Sequence, residues 1–102
     1  DSPMTTRLVH ARKEVTENQG KVAVEYGPII YAFEEIDNPG QMEDLMISEE
    51  LQFDISFDAN LLGGVNRLIG RSPSKTLTGI PYYAWSNRGI GKMKVWVPHT
   101  IP

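Results

Sequence analysis

The run Leu51-Gln52-Phe53-Asp54-Ile55-Ser56-Phe57-Asp58 constrains this chain more than any other segment, because apolar and polar residues alternate along it without a break. Successive side chains of a strand point to opposite faces. Leu51, Phe53, Ile55 and Phe57 therefore share one face, and Gln52, Asp54, Ser56 and Asp58 the other. A helix would scatter the four apolar residues around its circumference. The segment predicts a strand that lays its apolar face on a core.

The same period recurs elsewhere. Lys21 to Tyr26 puts Val22, Val24 and Tyr26 on one face, and Gly27-Pro28 then punctuates the chain. Pro28 has no N–H to give to a ladder, so it belongs at a strand start or an edge. Ile29-Ile30-Tyr31-Ala32-Phe33 is apolar on both faces, the pattern of a central strand. Further strands are predicted at Thr6 to Val9, Val65 to Gly70, Thr76 to Ile80 and Met93 to Val97. In the last, Met93, Val95 and Val97 share a face and Trp96 lies on the other.

Helical spacing is weak. Lys13 to Asn18 predicts one turn ended by Gly20. Met42, Leu45, Met46 and Glu49 follow the turn Asn38-Pro39-Gly40, and Asn60 to Gly64 predicts a further helical turn. Seven or eight short strands separated by turns predict an all-β fold, an antiparallel β-sandwich of jelly-roll type. A length of 102 residues fits one domain over residues 1–102.

Composition removes whole classes of function. A net charge of −3 gives no electrostatic footprint for nucleic acid or an anionic membrane. No apolar stretch approaches the ~18 residues of a membrane-spanning helix. Cysteine is absent, so this chain offers no disulfide, thiolate metal ligand or cysteine nucleophile. The start at Asp1 and the stop at Pro102 read as cuts in a longer chain, which makes one module of a larger protein the expectation.

Catalytic motifs are scarce. His10 and His99 are far apart in sequence, and neither a Ser-His-Asp spacing nor HExxH occurs. Gly89-Ile90-Gly91 begins a dinucleotide fingerprint, but Lys94 stands where the third glycine belongs and no helical pattern follows. Glu34, Glu35, Asp37, Glu43 and Asp44 form an acidic cluster. It reads as a solvated loop, with calcium ligation as the functional alternative. Nothing selects a carboxylate pair of the kind glycosidases use.

The densest segment is Ile80-Pro81-Tyr82-Tyr83-Ala84-Trp85-Ser86-Asn87-Arg88-Gly89-Ile90-Gly91. Aromatic faces stack on the C–H patches of sugars, while amides and guanidinium groups bond hydroxyls. Interfaces favour the same residues, which bury large area and keep a polar handle. Tyr82, Tyr83, Trp85, Asn87 and Arg88 are thus candidate interdomain or sugar contacts. The structural reading makes Tyr82 and Trp85 core or sheet-covering residues and Asn87-Arg88-Gly89 a turn.

At this segment a resemblance emerges. Leu77-Thr78-Gly79-Ile80-Pro81-Tyr82-Tyr83-Ala84-Trp85-Ser86-Asn87-Arg88-Gly89, continuing to Met93-Lys94-Val95-Trp96-Val97, resembles the end of the β-L-arabinofuranosidase family of glycoside hydrolases, long known as a domain of unknown function. Members carry a Pro-Tyr-Tyr-Ala-Trp-Ala-Asn-Arg-Gly string before a Met-x-Val-Trp strand. Gly20 to Tyr31 is similar to the family's Gly-x-Val-Ala-Leu-x-Arg-Gly-Pro-Leu-Val-Tyr, and Asn60 to Val65 to its Asp-Leu-Leu-Gly-Gly-Val. Tyr26 replaces a usual Arg, Ala32 a common Cys, Ser86 an Ala and Ile90 a Pro.

The resemblance implies a helical (α/α) barrel that carries catalysis, followed by β-sandwich domains. The family's chemistry uses a cysteine nucleophile and a zinc site of cysteines and a glutamate, all on the barrel. This chain aligns with the C-terminal sandwich region alone, so no catalytic residue, metal ligand or cofactor contact carries over, and zinc belongs to the parent's catalytic domain. The expectation is a non-catalytic module that supports the barrel of the same polypeptide or forms a homodimer contact. It predicts a bare apolar patch on this domain. The alternative is a carbohydrate-binding module using Tyr82 to Arg88; an independent small hydrolase is a third reading. Family members often come from bacteria that degrade plant polysaccharides, which implies an exported parent.

Overall fold

The computed structural model describes residues 5–85, 88 and 91–100. Nine strands run through them: β1 (Thr6–His10), β2 (Lys21–Tyr26), β3 (Ile29–Glu34), β4 (Ile47–Ser48), β5 (Gln52–Asp58), β6 (Val65–Arg71), β7 (Thr76–Pro81), β8 (Met93–Lys94) and β9 (Val97–Thr100). The all-β expectation holds. Ladders link the strands in the order β4-β9-β2-β3-β7-β6-β5, with β1 on β2 and β8 on β3. β4 runs parallel to β9, so the sheet is mixed rather than wholly antiparallel.

Local chemistry explains the joints. Tyr26 pairs with Ile29, leaving Gly27-Pro28 as a two-residue turn. Gly27 has φ +59°, which suits the first central position of a type II′ hairpin turn. Pro28 thereby avoids the ladder that it could not join. β3 then exchanges partners along its length. It meets β2 at Ile30, β7 at Tyr31 and Ala32, and β8 at Phe33 and Glu34. Such a strand is lined on several sides, as its two apolar faces predict.

The main core follows the period-two pattern. Val22 and Val24 of β2 join Tyr31 and Phe33 of β3, Leu68 of β6, Leu77 of β7 and Val97 of β9. Met42, Leu45 and Ile47 close it from the 41–48 segment. Burial of each large apolar side chain contributes roughly 1.5–3 kcal/mol. A smaller cluster of Leu61, Val65, Ile80 and Ala84 fills a second site.

Several expectations are corrected. β5 forms with its apolar residues on one face, but of the four apolar residues in the alternating run only Leu51, just ahead of the strand, is buried. Phe53 is half-buried, Ile55 is 42% exposed and Phe57 is 66% exposed. Beyond Phe53 the facing residues are Thr5, Thr6 and Tyr26, which stand back and leave a groove of about 250 Å³. Helical spacing gave only 3₁₀ turns, at Thr16–Asn18 and Met42–Asp44, and the second leads directly into β4. Asn60 to Gly64 makes no helix, because Leu62, Gly63 and Gly64 all take positive φ. Gly64 also lies under the Phe57 ring, where a Cβ would meet Cζ at 2.6 Å. The predicted strand Met93 to Val97 bends at Val95 and Trp96 and splits into β8 and β9.

Candidate functional site

The segment after β7 begins with a 3₁₀ turn, Tyr82–Ala84. Pro81 supplies fixed φ at its entry, and Ala84 anchors it in the second cluster beside Leu61, Val65 and Ile80. That anchor leaves the large neighbours outside. Tyr82, Tyr83 and Trp85 are all substantially exposed. Tyr82 and Trp85 are therefore not core residues.

Tyr82 lines an apolar cleft of about 590 Å³ with Val9, Ala23, Ile30, Met93, Val95 and Trp96. Val9 and Ala23 pair directly across β1 and β2 and form its floor. Tyr83 and Trp85 are not among the residues that line it. Tyr83 lies near Tyr31, whose hydroxyl donates to the Asn66 carbonyl at 2.6 Å. The Tyr31 pKa is pushed up to about 12, by burial first and then by Tyr83 and Tyr26.

Arg88 faces inward. Its two terminal nitrogens clamp Asp37 at 2.6 Å each, and one also reaches Glu34 at 3.0 Å. Arg67 of β6 donates to the same group, 2.8 Å from the Asp37 Oδ1 that Arg88 also bonds, and holds Asp58 with Nε and a terminal nitrogen. The result is a chain of alternating charge, Glu34–Arg88–Asp37–Arg67–Asp58. Bidentate pairing with planar guanidinium groups favours this geometry. Burial alone would raise the Asp37 pKa. Hydrogen bonds from Arg88 and then Arg67 outweigh it and hold that carboxyl below its ordinary value. The same Asp37 bonds push the Arg88 guanidinium upward against the effect of burial. Asn87, together with Ser86, Gly89 and Ile90, lies outside the described residues.

The acidic cluster is a solvated loop only at Glu35, Glu43 and Asp44, which are exposed. Glu34 is buried, Asp37 is held between two arginines, and Glu43 pairs with Lys92 at 2.6 Å. Among the described residues no group of His, Asp and Glu is placed to hold a metal ion. The two histidines, distant in sequence, come together because β1 and β9 both border β2. Their ring centroids are 6.1 Å apart, edge to face.

Two structural roles had no sequence signal. Asn38, read as part of a turn, is fully buried and acts as a substitute strand. Its Nδ2 donates to the carbonyls of Thr78 and Glu34 at 2.9 Å, and its Oδ1 accepts the Thr78 N–H at 2.7 Å. Arg67 meets Asp37 across 30 positions of sequence, a distance no local spacing reveals. Trp96 was placed opposite Met93 and Val95, and only the bend brings all three to one cleft.

Comparison with known proteins agrees with this fold. The family described as the glycoside hydrolase family 127 C-terminal domain matches over residues 6–98. A non-reducing end β-L-arabinofuranosidase of Bifidobacterium longum is 30% identical over 118 residues, covering 91% of this chain and 18% of that protein. A family-127 β-L-arabinofuranosidase from Geobacillus stearothermophilus T6 superposes with a TM-score of 0.84 at 33% identity, over 96% of this chain and 19% of its own. A second structure, a family-127 β-arabinofuranosidase, gives 0.83 at 33% identity, over 97% and 19%. The chain thus spans about a fifth of the length of these relatives. It belongs to the glycoside hydrolase family 127 C-terminal domain family.

Proposed function

We propose that this chain is a non-catalytic accessory domain of a β-L-arabinofuranosidase-like glycoside hydrolase, and that it supports the enzyme by packing against the catalytic part of the same polypeptide. The observation that carries this reading is the restriction of the match to a C-terminal domain about a fifth as long as the relatives. Two further facts support it. The chain has no cysteine, the residue on which the family's nucleophile and zinc site depend. It also bares Tyr82, Tyr83 and Trp85 together with the apolar cleft beside Tyr82, a surface of the kind that interfaces bury.

Carbohydrate binding by Tyr82 to Arg88 has less support. Arg88 is engaged by Asp37 and Glu34, and the apolar cleft that Tyr82 lines does not take in Tyr83 or Trp85.

The test is Trp85→Ala in the full-length enzyme. The expected result is a lower melting temperature or lower turnover with an unchanged ranking of sugar substrates. A switch in sugar preference without loss of stability would place this segment at the substrate and overturn the reading. So would hydrolysis of aryl arabinofuranosides by the 102-residue chain alone.

A further inference from the structure

The loop between β5 and β6 holds a leucine in a backbone conformation that suits other residues better. The Leu61 carbonyl accepts the Gly64 N–H at 2.8 Å, which closes a four-residue turn. Its central residues, Leu62 and Gly63, have φ +50° and +76°. Positive φ at both central positions marks a type I′ turn, which favours Asn, Asp or Gly. A leucine there brings its Cβ toward the following carbonyl oxygen and is strained. Among the described residues, Leu62 is the one non-glycine residue with positive φ.

The neighbours fix the turn from both sides. Asp58 Oδ1 accepts the Asn60 N–H at 2.9 Å. Leu61 is buried with Val65, Ile80 and Ala84, and Gly64 lies under the Phe57 ring. A strained residue persists where its surroundings over-determine it, and such residues gather at functional surfaces. The Leu62 side chain is 52% exposed, so this chain removes little of its apolar area from water. Within the domain, an Asn would fill the position with less strain.

We propose that Leu62 is held outward as a knob that enters an apolar socket on the catalytic part of the same polypeptide. The inference rests on the accessory reading and names a residue that meets that partner. Ala84, the anchor of the Tyr82–Ala84 turn, lies in the same buried cluster as Leu61. Two turns thus stand on one foundation. Beside one anchor Leu62 is exposed, and beside the other Tyr83 and Trp85 are exposed. The chain spans about a fifth of the length of its relatives, so in the accessory reading the remainder is at hand to supply the socket. The knob carries no charge and no hydrogen-bonding group, so its complement is apolar, and docking removes the exposed leucine surface from water.

Leu62→Asn and Leu62→Ala test this, each in the 102-residue chain and in the full-length enzyme. Asn tolerates positive φ, so Leu62→Asn should raise the melting temperature of the chain alone by roughly 4 °C. Leu62→Ala keeps a Cβ in the strained turn and should leave that temperature within about 2 °C. In the full-length enzyme both variants empty the socket and should shorten the half-life of thermal inactivation several-fold. A residue with a role only inside the domain would shift both proteins in the same direction. The same direction for Leu62→Asn in both, or no change in either, overturns the proposal. So does a melting temperature of the unmodified chain that rises with concentration and no longer does so in Leu62→Ala, which assigns the knob to a second copy. Trp85→Ala separates this inference from the reading beneath it. If that variant destabilises the full-length enzyme and Leu62→Asn does not, the socket alone fails; if neither does, the accessory reading fails with it.

Discussion

Phe57 and Asp58 follow one another on β5 and meet opposite fates. The Phe57 ring lies on the apolar face of the β5–β6 ladder and is two-thirds exposed. The Asp58 carboxylate, on the polar face, bonds Arg67, which leads to Asp37, Arg88 and Glu34. The Asp37 and Glu34 side chains are only 5% and 4% exposed. At this end of the ladder the charged side is covered and the apolar side is bare, while farther along Asp54 and Arg71 stand exposed and Leu68 is buried. Alternation sorts residues into faces. Which face is covered depends on what the rest of the chain lays over it.

The largest effect should come from breaking the covered side. Asp37→Ala removes the carboxylate between two guanidinium groups and leaves Arg88 with Glu34 alone and Arg67 with Asp58 alone. It should cost about 3 kcal/mol in chemical denaturation. The same carboxylate sets an acid limit. Its folded pKa is depressed, so its contribution is present above the unfolded value of about 3.9 and is lost as pH falls through the lower folded value. Urea midpoints of the unmodified chain should fall below about pH 4, and those of Asp37→Ala should fall less.

Asn38→Ala sharpens the comparison by removing a neutral group from the same covered side. The Thr78 N–H and the Thr78 and Glu34 carbonyls lose the Asn38 side chain as partner. A loss of about 2 kcal/mol is expected in thermal or urea unfolding. The smallest effect belongs to the bare side. Phe57→Ser should change the unfolding free energy of the single chain by less than about 0.5 kcal/mol, measured at low concentration. A large loss there would show that the ring is buried after all.

Much of the fold was legible in the sequence because a period of two depends on local geometry. β2 follows from Val22 and Val24, β3 from its doubly apolar run, and β5 from its strict alternation. The site was less legible. Tyr82, Tyr83, Trp85 and Arg88 were singled out, but they serve different surfaces. Ala84 anchors the turn that exposes the aromatic residues, and Asp37 draws Arg88 inward. Neither relation has a signature in spacing, since the partners lie tens of residues apart.

By itself, then, the sequence determined an all-β chain, most of its strands, the division of β5 into two faces, and the segment that ties it to its family. Backbone sterics and side-chain alternation act over a few residues, and a sequence records them directly. Only the tertiary structure decided that Glu34 and Asp37 would be buried among arginines, that Asn38 would stand in for a strand, and that Ile55 and Phe57 would be left bare. Those outcomes depend on which distant segments come to cover a face.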